Sequence, residues 1–243
     1  MLKQWAERIK YQLEYIDSNL FQQLRAEIGM GVYRGATLKS LFDEYVRGAS
    51  INGEKQDVIG YDNLDVFING LLLANTLPIE TKVREPEMLY YQQTPARIII
   101  ELIKKANFTA QDVFYDLGSG LGQVPILVDL FSEAKTKGVE FEPAYCDYAR
   151  GCAAELNLSG IEFINVDARI ADYADGTVFY MYTPFEGRLL QEVLEKLHRE
   201  SRRKMIRLFT YGSCTLEVSQ QSWLKCINQN GNRIYKLAIF KSL

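Results

Sequence analysis

The sequence predicts an α/β fold: a mostly parallel, doubly wound sheet of seven strands with one antiparallel strand, preceded by an N-terminal helical cap. Three observations carry this expectation. From residue 113 onward, short apolar strands alternate with amphipathic helices. A glycine-rich turn, Gly118-Ser119-Gly120-Leu121-Gly122, joins the first of those strands to the helix that follows. Late in the chain, two apolar runs flank Asn230-Gly231, a hairpin signal that sets the last two strands antiparallel.

The cap comes first in the chain. Trp5, Ile9, Leu13, Ile16, Leu20 and Leu24 recur at spacings of three and four, one apolar stripe on a long helix expected to pack on the rest of the protein. Gly29 and Gly31 end it. Thr37 is placed to cap a second helix carrying Leu38, Leu41, Phe42 and Tyr45. Residues 47–60 are polar and glycine-containing, hence a loop. Asp62 or Asn63 then caps a third helix with Leu64, Phe67, Ile68, Leu71 and Leu72 inward. Residues 77–93 show no period and lead into Thr94-Pro95, an N-cap followed by proline at the first helical position. The chain therefore divides into a helical cap, residues 1–85, and an α/β domain, residues 86–243.

The α/β part alternates strand and helix. Strands are expected at Val113–Leu117, Gly138–Phe141, Ile161–Val166, Val178–Tyr182 and Met205–Tyr211. Helices are expected from Gln123 to Phe131, Pro143 to Leu158 and Phe185 to His198. Two further strands, Trp223–Ile227 and Ile234–Phe240, form the terminal hairpin.

Composition narrows the possibilities. A chain of 243 residues with net charge −3 has no long-range attraction for nucleic acid or an anionic membrane. No apolar run approaches the ~20 residues of a membrane span, and the acid-containing N-terminus lacks a secretory h-region. Cys146, Cys152, Cys214 and Cys226 have neither CxxC spacing nor a neighbouring histidine cluster, and read as reduced thiols of a cytoplasmic protein. With His198 the single histidine, a histidine-rich metal site is not expected, and no metal is assigned. The basic cluster Arg199, Arg202, Arg203, Lys204 and Arg207 lacks interleaved aromatics and reads as a solvated turn. Gly212-Ser213-Cys214 has no partner base and reads as a turn rather than a nucleophile.

The glycine turn carries the chemistry. Glycines let a backbone approach a ligand closely, and the following helix presents free N–H groups. A dinucleotide fingerprint, G-x-G-x-x-G, would need a third glycine at position 123, where Gln123 stands; the glycine comes one residue early, at Gly122. Asp116, two residues before Gly118, would repel a pyrophosphate but suits a cationic ligand such as a sulfonium or an amino group. Spacing and acid together favour S-adenosylmethionine over NAD. Glu140, ending the second strand about twenty residues on, is placed for ribose hydroxyls, with Phe141 beside the adenine. Asp167, after the third strand, is placed for the adenine amino group, with the Ala168 N–H next to it.

These residues resemble class I S-adenosylmethionine-dependent methyltransferases, and within them the Dot1-like branch. Asp116 to Gln123 matches its D-L-G-S-G-x-G-Q turn, Gly138-Val139-Glu140 its G-V-E strand end, and Tyr91-Gln92-Gln93-Thr94 resembles its Tyr-x-x-Thr loop, with Gln93 where an acid is usual. The resemblance covers residues 88–212. It implies a Rossmann-like domain and a methyl-transferring enzyme in which Tyr91 and Thr94 close over the methionine end of the cofactor, alongside Asp116, Gly118, Ser119, Gly120 and Gln123. The acceptor site falls after the fourth strand, at Tyr182-Thr183-Pro184-Phe185. Dot1-like enzymes have Asn-Asn-Phe there, and amino-methylating nucleic-acid enzymes Asn/Asp/Ser-Pro-Pro-Tyr; this chain has neither. By the resemblance the acceptor is a nitrogen on a protein side chain. A small-molecule or nucleic-acid amine is the alternative, and a non-catalytic cofactor-binding partner or sensor is a reading of another class.

Overall fold

The computed structural model describes residues 2–49, 63–72 and 77–243. Its elements run α1 (Leu2–Gly29), α2 (Ala36–Ala49), α3 (Asn63–Leu72), α4 (Ala96–Ala106), β1 (Val113–Leu117), α5 (Gln123–Phe131), β2 (Lys135–Glu140), α6 (Pro143–Glu155), β3 (Ile161–Asn165), β4 (Val178–Tyr182), α7 (Gly187–Ser201), β5 (Arg207–Tyr211), α8 (Cys214–Ser219), β6 (Leu224–Cys226) and β7 (Ala238–Ser242). The seven strands form one sheet in the order β3-β2-β1-β4-β5-β7-β6. β1 pairs parallel with β2 and β4, while β7 runs antiparallel to both β5 and β6. This is the Rossmann-like arrangement expected from the alternation of elements.

Both faces of the sheet are covered, so the strands are apolar on both sides. The period of two sorts the side chains. Phe114, Val178, Tyr180 and Phe209 join one buried cluster with α4, α5 and α6. Their neighbours Tyr115, Phe179, Met181 and Leu208 join the other, under Leu189, Leu190, Val193, Leu194 and Leu197 of α7.

Among the described residues, the N-terminal helices have no core separate from that of the sheet. Leu24, Ile28, Leu38, Phe42, Leu64 and Ile68 belong to the same cluster as Ile99, Leu127 and Phe163. Polar pins reinforce the contact: Arg25 donates to the carbonyls of Gly70 and Leu71, and Arg34 pairs with the buried Asp129 at 3.0 Å. The expectation that the whole α1 stripe packs inward is corrected. Trp5, Leu13, Ile16 and Leu20 are 55–64% exposed, and burial begins near Leu24. A helix of 28 residues is about 42 Å long, longer than the face it docks on.

Local signals differ from expectation in three further places. Thr37 lies inside α2, its hydroxyl bonded to the carbonyls of Val32 and Arg34. Thr94 does not cap α4; Pro95 is the N-cap residue, and Asp65 of α3 accepts from the Ala96 N–H at 2.7 Å. The β6–β7 pair is antiparallel without a tight Asn-Gly turn: a longer connection is held by Asn228 and Asn230, whose side-chain amides donate to Leu237 O. The imidazole of His198, in the last turn of α7, stacks on Trp223 at 4.9 Å between ring centroids. The Asp62 cap, and most of the loop expected at 47–60, lie outside the described residues. All four cysteines are free, and no helix among the described residues is long and apolar enough to cross a membrane.

Candidate methyl-donor site

The glycine turn after β1 is stitched to the end of β2. Gly118 N–H and Ser119 N–H both donate to Val139 O, at 2.9 and 3.0 Å. Gly120 N–H donates to Glu140 Oε2 at 2.7 Å, and the other carboxylate oxygen accepts from Glu142 N–H at 2.8 Å. Glycine is required at two of these positions on two grounds. Gly118 (φ 79°) and Gly120 (φ 52°) are left-handed, and a Cβ would lie 2.3 Å from Pro184 Cβ at the first and 2.4 Å from the Tyr91 ring at the second.

A strap, residues 79–91, crosses in front of this turn and is pinned along its length. Thr81 Oγ and Lys82 N–H donate to the Glu142 carboxylate at 2.7 and 2.8 Å, and Lys82 Nζ reaches Phe141 O. Tyr145 OH donates to Glu80 at 2.7 Å. Arg169 bridges Glu85 on the strap to Asp167 after β3. Glu87 accepts from Arg188 N–H and Leu189 N–H, the first turn of α7. An isolated bridge joins Met88 to Phe185, and Tyr91 packs edge-on to Tyr145 at 5.6 Å.

Strap and sheet edge line a cleft of about 100 Å³. Of the residues expected to hold the cofactor, Tyr91, Gly118, Gly120, Glu140, Phe141, Asp167 and Ala168 line it; so do Tyr182, Thr183, Pro184 and Phe185 at the end of β4. Thr94, Asp116, Ser119 and Gln123 do not line the cleft. Asp116 is 3% exposed at the end of β1, and Thr94 Oγ lies 3.4 Å from Tyr180 OH. Glu80, Arg84, Glu142 and Tyr145 also line the cleft and were missed in the sequence. Only the aperiodic stretch between two helices, rich in charge and carrying Pro78 and Pro86, hinted at a segment that folds onto something else.

The carboxylates divide by environment. Burial, and then the nearby Glu140 charge, push Asp116 well above the usual carboxylate range. Burial also raises Glu140, against the pull of the Glu142 and Gly120 N–H groups. Asp167 is lowered despite its burial, because Arg169 donates to it from side chain and backbone. Glu142 is lowered to about 2: burial opposes ionisation, but the Thr81 hydroxyl and the Lys82 and Ala144 N–H groups outweigh it.

At the end of β4 the chain turns sharply through Thr183, a non-glycine residue at φ 40°. Its hydroxyl donates to Tyr211 O at 3.2 Å and accepts from Cys214 N–H at 3.3 Å. Pro184 O accepts from Leu89 N–H of the strap.

The described residues fit S-adenosylmethionine on three observations. The two glycines keep backbone open to the cleft. The Ser119 hydroxyl and both polar atoms of the Gln123 amide, beside the turn, are buried with no hydrogen-bond partner among the described residues. Acids stand at the carboxyl ends of β1 and β2 and just beyond β3, where open α/β sheets bind ligands. No group of metal-binding side chains occurs among the described residues.

Residues 87–178 match the family model for the histone methylation protein DOT1. No curated protein matches the chain. Among solved structures it is similar to an RNA methyltransferase from Salinibacter ruber in complex with S-adenosyl-L-homocysteine, at 22% identity and TM-score 0.50, over 62% of this chain and 92% of that one. It is also similar to a putative methyltransferase from Escherichia coli, at 14% identity and TM-score 0.48, over 65% and 90% of the two chains. A precorrin-6y C5,15-methyltransferase from Geobacter metallireducens matches at 15% identity and TM-score 0.45, over 62% and 89%. The first of these shares the fold, and the family match covers the end of the strap from residue 87, the glycine turn, Glu140 at the end of β2 and Asp167 beyond β3. The family match and the shared fold together support an S-adenosylmethionine-dependent methyltransferase with Dot1-like similarity.

Proposed function

We propose that the chain moves the methyl group of S-adenosylmethionine to a nitrogen on a protein side chain, of the lysine type. The observation that carries this reading is the DOT1 match over residues 87–178, which takes in the last residues of the strap and the glycine turn, both of which line the cleft. In this reading Glu140 takes the ribose hydroxyls, Phe141 covers the adenine, and Asp167 with the Ala168 N–H takes its amino edge. Gly118 and Gly120 give backbone access, Ser119 and Gln123 supply polar atoms that have no partner among the described residues, Tyr91 and Thr94 close the methionine end, and buried Asp116 balances the cationic end. Residues 1–85 serve as a helical cap on a methyltransferase domain of residues 86–243.

When bound, S-adenosylmethionine supplies a methyl carbon already activated on a sulfonium. The chain's contribution is alignment and exclusion of water. Tyr182, Thr183, Pro184 and Phe185 form the wall beside which an acceptor amine would align. The Thr183 hydroxyl has both a donor and an acceptor role inside the protein, so the backbone carbonyls of this turn are the better partners for amine hydrogens. A lysine loses its proton to solvent before entry, and no side-chain base is needed.

The second reading, a nucleic-acid or small-molecule amine, is favoured by the Thr-Pro-Phe turn, where the buried Phe185 offers a flat apolar wall. Incubation with methyl-labelled S-adenosylmethionine, followed by separation of protein, RNA, DNA and metabolites, tests both. Label in protein, recovered as methyl-lysine, is the expected result. Label in RNA or metabolites moves the acceptor to the second reading. No label anywhere, with tight S-adenosylhomocysteine binding, leaves a non-catalytic cofactor-binding protein.

A further inference from the structure

We infer that Arg84, on the strap, is the carboxylate-binding residue of the cleft. It is the one cation among the described residues that line the cleft, beside four carboxylates, Glu80, Glu140, Glu142 and Asp167. Lys82 and Arg169 are occupied elsewhere, on Phe141 and on Asp167 with Glu85. Arg84 is held in place from two sides. Its Nη2 pairs with Glu80 at 3.2 Å, and its guanidinium lies 3.4 Å over the Tyr90 ring. Its other arm, Nη1, is buried and has no partner among the described residues.

That combination is informative. A buried guanidinium N–H without an acceptor is costly to the free protein, and the cost is recovered when a ligand supplies the acceptor. Two sides of the group are fixed, so its geometry is set in advance, which is how an arginine fork selects a planar anion. Four surrounding acids disfavour a phosphate dianion far more than a single carboxylate. The position agrees: Glu80 binds Tyr145, Tyr145 packs on Tyr91, and Tyr91 covers Gly120. Arg84 thus belongs to the group of side chains that walls the glycine turn.

This inference rests on the methyl-donor reading of the cleft. The carboxylate has two possible sources, the amino-acid end of the donor or an acidic group on the acceptor. Calorimetry on the full chain compares S-adenosylhomocysteine with 5′-methylthioadenosine, which keeps the nucleoside and thioether but lacks the amino-acid end. If the donor is the source, Arg84→Met weakens S-adenosylhomocysteine about 10- to 100-fold and leaves methylthioadenosine within about threefold. Arg84→Lys, which keeps the charge but not the stacked fork, falls between. If the acceptor is the source, both nucleosides bind the variant as they bind wild type. Acetate, titrated into the S-adenosylhomocysteine-saturated protein, then raises the unfolding temperature of wild type and not of Arg84→Met. Equal weakening of both nucleosides would overturn the inference, since it marks Arg84 as packing for the strap. No change in either, with no acetate response in wild type, also overturns it. Failure of wild type to bind either nucleoside is a different result: it removes the methyl-donor reading and this inference with it.

Discussion

The Gly120 N–H donates to the Glu140 carboxylate at 2.7 Å, so the glycine turn and the acid that ends β2 form one hydrogen-bonded unit. The same glycine is held on its other side by the Tyr91 ring. Gly120→Ala therefore meets two penalties: a left-handed backbone, costing about 1–2 kcal/mol, and a Cβ 2.4 Å from the Tyr91 ring. The expected outcome is a folded protein, less stable by roughly 2 kcal/mol, that binds S-adenosylhomocysteine at least about tenfold more weakly. Denaturant unfolding and calorimetry on the same preparation check both parts. Unchanged affinity would separate the turn from ligand binding.

Asp116 gives a prediction with a defined pH sign. Its folded value lies well above the ordinary 3.8, raised by burial and by Glu140. Between 3.8 and that raised value the native state holds more protons than the unfolded state, so stability falls as pH rises through the window. Asp116→Asn removes this cost. The ligand-free variant is expected to be more stable than wild type above the window by about 1 kcal/mol or more. The gain shrinks toward zero as pH falls to the ordinary value. The same variant is expected to bind S-adenosylmethionine more weakly, because the cation loses its buried counter-charge. Unfolding curves from pH 4 to 9 would contradict the prediction if the variant were less stable throughout.

Much of this architecture was legible because its signals are local. Phe114 and Tyr115 take opposite faces of the sheet by the period of two, and Asp116, Glu140 and Asp167 follow from strand ends. What was not legible depends on contacts distant in sequence. Asp65 caps α4 from 31 residues away, taking the place expected of Thr94. The strap shows no period in the sequence because its residues answer to α6, α7 and the end of β3 rather than to a periodicity of their own. The exposed half of α1 shows the converse limit: a stripe at helical spacing says which residues share a face, not how far the docking surface extends.

Glu142 joins the strap to the N-terminus of α6, accepting from Thr81, Lys82 and Ala144. Glu142→Gln keeps the size but loses the charge-assisted bonds. It is expected to cost about 1–2 kcal/mol at neutral pH and to make residues 79–85 more susceptible to proteolysis. The sign is opposite to that of Asp116. The Glu142 value is depressed to about 2 from 4.5, so its stabilisation is complete above 4.5 and is lost as pH falls through about 2. Wild type and variant should therefore converge in acid. A difference that persisted at low pH would mean that side-chain packing, not the carboxylate, holds the strap.

Thr183 separates backbone from side-chain chemistry at the acceptor wall. Its φ of 40° is a conformation that asparagine adopts more readily than threonine, and β-branched residues adopt it with strain. Its hydroxyl links Tyr211 O to Cys214 N–H, and Gly212 leaves it room, since a Cβ there would lie 2.2 Å from the Thr183 oxygen. Thr183→Val keeps the strain and loses both bonds, and is expected to cost about 1–3 kcal/mol. Thr183→Asn relieves the strain and offers polar atoms in place of the hydroxyl, so its stability is expected within about 1 kcal/mol of wild type. If the hydroxyl only shapes the turn, Thr183→Asn retains methyl transfer, with KM and kcat both within about threefold of wild type. A stable Thr183→Asn that binds S-adenosylhomocysteine normally but loses kcat would instead give the hydroxyl a direct part in orienting the acceptor. Denaturation, calorimetry and single-turnover methylation on the two variants distinguish these outcomes.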